Sequence, residues 1–146
     1  FPGFRDPLFD QFFQDFFEPR RRLTRTSLGS GVVVQSEGYV VTNQHVILRA
    51  SRIRVTLADE REYEARVVGT DSDSDLAVLK VDAESPLPAV ELGDSDSVLI
   101  GETVIAIGNP FGLSHTVTSG VISATGRSLK TEDQTFYDFL QTDASI

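Results

Sequence analysis

The chain contains no cysteine, which removes a disulfide framework, a thiol nucleophile and a thiolate metal site while leaving the compartment open. It also lacks any apolar run near the roughly 20 residues that a membrane-spanning helix needs, so no transmembrane segment is expected. The N-terminus has neither the cationic start nor the continuous apolar core of a secretory signal. For an exported protein, the expectation is therefore that the signal has been removed. Basic residues are not in excess either, since the formal net charge is −9. Affinity for nucleic acid comes largely from neutralised phosphates, so an acidic body argues against that class of partner. The Arg20–Arg22 run is a short exception, and a solvated linker accounts for it.

What is present divides at about residue 27. Residues 1–27 hold seven of the chain's ten phenylalanines, and five arginines against four carboxylates, so the acid excess lies in the remainder. On a helix of 3.6 residues per turn, Leu8, Phe9, Phe12, Phe13, Phe16 and Phe17 fall on one side, with Asp10, Gln11, Gln14, Asp15 and Glu18 on the other. Asp6 suits the N-cap, Pro7 the first helical position, and Pro19 ends the pattern. So many aromatic faces require cover from the chain's own domain, a sister subunit or a membrane surface. The acidic polar face favours a protein partner, because surface-bound helices usually carry Lys and Arg there.

From Leu28 onward the apolar period is two. Gly29–Gln35 and Gly38–Thr42 read as a hairpin, and Arg52–Leu57 is answered by Tyr63–Val68 across Ala58-Asp59-Glu60-Arg61. Leu76–Val81 is continuously apolar enough to be a buried strand. Residues 83–97, with Pro86, Pro88 and the Gly93-Asp94-Ser95-Asp96 cluster, read as a connection. Thr103–Ile107, Thr116–Ala124 and Phe136–Thr142 are again short and strand-like. Many short strands with Gly-rich turns give an all-β class, barrel or sandwich.

His45 and Asp75 are the candidate catalytic residues. His45 follows the apolar Gly38–Val41 run at a strand mouth, behind the polar Thr42-Asn43-Gln44 and before Val46-Ile47-Leu48. A core or capping histidine would also fit that place. Proton transfer wants an imidazole of fixed tautomer beside a buried carboxylate. Asp75 opens the Leu76–Val81 strand, so its carboxylate is expected to be desolvated, whereas Asp71 and Asp73 are expected to stay in water. The alternation of aspartates suggests a Ca²⁺ loop, but the Gly and the later Glu that such loops need are missing. No metal or cofactor is expected. Ser30 lacks a nucleophile-elbow sequence, His115 suits a surface loop, and Gly108–Gly112 by itself is a turn. The order His before Asp is that of a triad whose serine comes last.

Six blocks in order resemble the HtrA/Deg family of serine endopeptidases. They are Ser30-Gly31 leading to Gly38-Tyr39-Val40-Val41-Thr42-Asn43-Gln44-His45-Val46, then Ser74–Lys80, Gly108-Asn109-Pro110-Phe111-Gly112, Thr116–Ala124 and Gln141-Thr142-Asp143-Ala144-Ser145-Ile146. The resemblance implies a chymotrypsin-like double β-barrel, here with the first barrel complete over 28–82, a connection at 83–97 and the second barrel begun over 98–146. It implies His45 as general base and Asp75 as the orienting carboxylate. It further implies a homo-trimer or higher assembly through the N-terminal Phe-rich segment, and ATP-independent cleavage of unfolded or damaged proteins in the bacterial periplasm or cell envelope.

The sequence departs from that pattern at its end. The family's Gly-Asn-Ser-Gly-Gly block follows closely on Thr-Asp-Ala-x-Ile, and the 146 residues stop at Ile146, with no PDZ domain among them. Ser145 cannot serve, lacking the glycines that turn backbone N–H groups toward a reacting carbonyl. The polypeptide by itself is expected to be inactive, and a non-catalytic assembly or binding module on a protease scaffold is the competing expectation. Strand edges within 98–142 are expected to lack partners.

Overall fold

A computed structural model describes residues 28–108, 116–130 and 135–145. The expected Phe-rich helix, His115 and most of the Gly108–Gly112 turn lie outside the described residues. Among the described residues are eight strands, one short α-helix and a 3-10 turn at Ser95–Ser97: β1 (Gly31–Gln35), β2 (Tyr39–Asn43), α1 (Gln44–Ile47), β3 (Ile53–Thr56), β4 (Glu62–Asp71), β5 (Leu76–Val81), β6 (Thr103–Gly108), β7 (Thr116–Lys130) and β8 (Thr135–Thr142).

The first five strands form one antiparallel, curled sheet in the order β1-β2-β5-β4-β3. β5 lies at its centre because its apolar side chains can be buried. Ala77, Leu79 and Val81 point to the core at 1%, 3% and 0% exposure, with Val40 opposite Leu79 in the register. The Val40, Leu79 and Val81 side chains each contribute roughly 1.5–3 kcal/mol when fully buried. The β1/β2 hairpin turns at Gly38, whose φ of 96° favours glycine, and whose N–H donates to the Gln35 carbonyl at 3.0 Å.

The sheet's two edges are protected differently. β3 is short, and Arg54 within it and Arg52 just before it form ion pairs with Glu62 and Glu64 of β4, at 3.0 and 3.1 Å. These exposed pairs add little stability, yet a charged short edge discourages strand addition. At β1 the connecting segment runs alongside, with the Val90 N–H donating to the Val33 carbonyl and the Leu87 N–H to that of Ser36. Leu87 is only 3% exposed, so the Pro-rich stretch read as a connection also supplies a core residue. β1 and β3 are not hydrogen-bonded to one another among the described residues.

The remaining strands form a three-stranded sheet, β6-β7-β8. β7 reaches Lys130, well past the expected Ala124, and bends through Gly126 at a φ of 63°. After β8 the chain folds back along β7. The Val121 N–H donates to the Asp143 carboxylate at 2.7 Å, and the Thr118 hydroxyl to the Ser145 carbonyl at 2.7 Å. A Cβ on Gly120 would strike the Ala144 backbone and the Asp143 carboxylate, so glycine is what lets Ala144 pack to 7% exposure. The other face is open, with Ile105, Ile107 and Val117 more than 60% exposed. Within the described residues β6 and β8 are edges, as the sequence led one to expect. No helix among the described residues is long and apolar enough to cross a membrane.

Candidate catalytic site

The β2–β5 ladder brings His45 and Asp75 together. Its last pair is Asn43 opposite Leu76, so Asp75, one residue before β5, stands beside the first turn of α1. The Gln44 N–H continues the ladder by donating to the Asp75 carbonyl at 3.0 Å. The end of β2 is anchored by Thr42, 8% exposed, whose hydroxyl donates to the Ser30 carbonyl at 2.7 Å. Gly29 completes that support, since a Cβ there would lie 2.5 Å from a Val46 methyl. Thus the Gly29-Ser30-Gly31 stretch buttresses the histidine's element.

Asp75 makes two contacts with the same histidine. Oδ1 accepts from the His45 backbone N–H at 2.9 Å, and Oδ2 meets His45 Nδ1 at 2.5 Å. Asn43 Nδ2 donates to the Asp75 carbonyl at 3.1 Å and to Oδ2 at 3.2 Å. An ionised carboxylate only accepts, so the proton between Asp75 and the ring belongs on Nδ1. The neutral ring then carries its lone pair on Nε2, the nitrogen turned away from Asp75.

Asp75 also caps α1. A helix start leaves N–H groups without intrahelical partners, and here the first two, of Gln44 and His45, are taken by the carbonyl and carboxylate of Asp75. One residue therefore fixes both the backbone and the ring of His45. Asp75 adopts a φ of 52°, a left-handed conformation that Asp tolerates better than most residues.

Asp75 is partly withdrawn from water, in the direction expected. Its side chain is 24% exposed and that of His45 22%, because the carboxylate sits at a strand mouth rather than inside the sheet. Asp71 and Asp73 are exposed, as expected. Asp71 closes the preceding turn, accepting from the Ser74 hydroxyl and from the Asp73 N–H. The Ser74 hydroxyl first, and then the Asp73 N–H, hold its carboxyl below the usual carboxylate range. Among the described residues no group of three or more His, Asp or Glu is placed to hold a metal ion.

Sequence reasoning did not single out Asn43 or the buried Thr42. An asparagine just ahead of a helix reads as an N-cap, a signal that points to local structure and away from Asp75.

Residues 29–146 match a family described as the trypsin-like peptidase domain. A "Probable periplasmic serine endoprotease DegP-like" of Marinomonas sp. (strain MWYL1) is 48% identical over 145 residues, covering 94% of this chain and 30% of the relative. A protein of the same description from Rickettsia prowazekii (strain Madrid E) is 51% identical over 121 residues, covering 82% of this chain and 24% of the relative. Among solved structures, an "HtrA-type protease AlgW with decapeptide" matches at a TM-score of 0.75 and 52% identity, covering 82% of this chain and 36% of that one. The chain thus spans less than a third of the length of these curated relatives, 30% of one and 24% of the other.

Proposed function

Because the chain belongs to the trypsin-like peptidase family, in its HtrA/Deg branch, we propose that it carries the general base and orienting carboxylate of a serine endopeptidase. The observation that supports this most is the doubly held imidazole, with Asp75 Oδ2 on Nδ1 at 2.5 Å and Oδ1 on the same residue's N–H. In that role His45 Nε2 takes the proton from a serine hydroxyl as its oxygen attacks the scissile carbonyl carbon. The same proton then goes to the leaving amine, and Asp75 stays ionised throughout. A water activated in the same way releases the acyl group.

The five-stranded sheet, residues 28–82, then belongs to the first barrel of such an enzyme, with 83–97 connecting it to a second barrel begun at 98–146. The Phe-rich segment 1–27 is assigned to assembly of a homo-trimer or larger oligomer. The substrates are unfolded or misfolded polypeptides in the periplasm, a reading supported by the relatives named as periplasmic endoproteases and by the solved relative bound to a decapeptide. The exposed Ile105, Ile107 and Val117 face favours keeping a second reading, a binding or assembly module on a protease scaffold.

Serine-directed labelling separates the two. The full-length protein takes up a fluorophosphonate and cleaves casein, whereas the 146-residue polypeptide does neither. An unlabelled, inactive full-length protein would favour the binding module, and labelling of the 146-residue polypeptide would place the nucleophile within it.

A further inference from the structure

We propose that Asn43 is a positioning residue for this reaction: its side-chain amide, instead of capping its own helix, fixes the carboxylate that orients His45. The inference rests on the His45–Asp75 assignment above.

Asparagine favours the N-cap because its side-chain oxygen ordinarily accepts from the second or third helical N–H. Asn43 occupies the N-cap of α1 and makes no such bond. The helix does not need it to, since Asp75 already accepts from the N–H groups of Gln44 and His45. The Asn43 amide is turned instead to Asp75, with Nδ2 3.1 Å from the carbonyl and 3.2 Å from Oδ2. Both targets are acceptors, so the NH₂ end must face them.

Oδ2 is also the oxygen that meets His45 Nδ1 at 2.5 Å. Asn43 therefore acts on the reacting imidazole through one shared atom. It resists rotation of a carboxylate borne on a left-handed residue, φ 52°. It also offers the carboxylate a fixed neutral donor at a site where a 24% exposed side chain would otherwise recruit mobile water. Asn43 is itself exposed, so replacing it leaves the core intact.

The test uses the full-length protein. Asn43→Asp keeps the size of the side chain but replaces its two N–H donors with acceptors and adds a like charge beside Asp75. The expected result is a kcat lower by about 10- to 100-fold, the scale of a hydrogen bond to a charged group. KM should stay within about twofold, because the lost interaction acts on the transition state rather than on substrate binding. The low-field proton resonance of His45 Nδ1–H shifts or broadens, a response that a purely structural role would not produce. Asn43→Ala, which adds no charge, shows the same changes to a smaller degree and serves if the Asp variant fails to fold. Wild-type kcat with an unmoved resonance in a folded variant overturns the proposal, as does a change confined to KM. Asp75→Asn measured alongside locates the failure. If turnover survives Asp75→Asn, the His45–Asp75 assignment has failed and takes this inference with it. If turnover collapses there while both Asn43 variants behave as wild type, only the Asn43 proposal is lost.

Discussion

Asp75→Asn in the full-length protein lowers kcat by about 10⁴-fold, the size of the tautomer effect in triad chemistry. The substitution is nearly isosteric, and its side-chain oxygen can still accept from the His45 N–H that Oδ1 serves at 2.9 Å. The ring contact is what changes. An amide NH₂ facing Nδ1 makes that nitrogen an acceptor and moves the ring proton to Nε2. An Nε2–H has no lone pair with which to take a proton from serine. The loss therefore appears in kcat, with KM close to the wild-type value and the thermal midpoint little changed. Turnover like that of the wild type would remove Asp75 from the site.

Gly38→Val is the second large effect, and it acts on folding. Gly38 turns the β1/β2 hairpin at a φ of 96°, and a Cβ there would collide with the Val81 carbonyl. That carbonyl belongs to the most deeply buried residue of the central strand. The hairpin also accepts the Val81 N–H on the Gly38 carbonyl at 2.9 Å, so relief of the clash breaks a ladder bond. Left-handed strain and the collision together cost about 3–5 kcal/mol. Thermal unfolding should show a midpoint lower by roughly 10 °C or more. Gly93, where a Cβ meets nothing within 4 Å, is the control. Gly93→Ala should stay within about 0.5 kcal/mol of the wild type. Equal midpoints for the two variants would contradict this account of the turn.

The sites of these two substitutions differ in how far they could be read from sequence. The strands around Gly38 were legible because one buried face imposes a period of two. Val40 and Thr42 alternate with exposed or half-exposed neighbours, and Ala77, Leu79 and Val81 do the same. Where pairing rests on backbone alone the pattern fades. Gly69, Thr70 and Asp71 extend β4 by pairing with Val78, Ala77 and Leu76, and their side chains give no sign of it. Leu87 enters the core from a stretch whose prolines read as a connection. α1 has four residues, too few to show a helical period.

At the site, His45 and Asp75 were legible as two strand-mouth residues whose chain order suits a triad. Their contact follows from the Asn43–Leu76 register, a long-range property that local patterns do not carry. The extent of burial escapes local patterns for a related reason. An apolar strand follows Asp75, but exposure is decided by what crosses over the strand's mouth, and there the carboxylate remains 24% exposed.

If His45 and Asp75 act as one unit in proton transfer, a double-mutant cycle on the full-length protein shows it. Residues that work only through one another lose activity non-additively. With His45→Ala in place, Asp75 has no ring to orient, so adding Asp75→Asn is predicted to leave kcat at the value of His45→Ala alone. A further loss approaching that of Asp75→Asn in the wild-type background would contradict the claim, because it would show the carboxylate acting without the histidine.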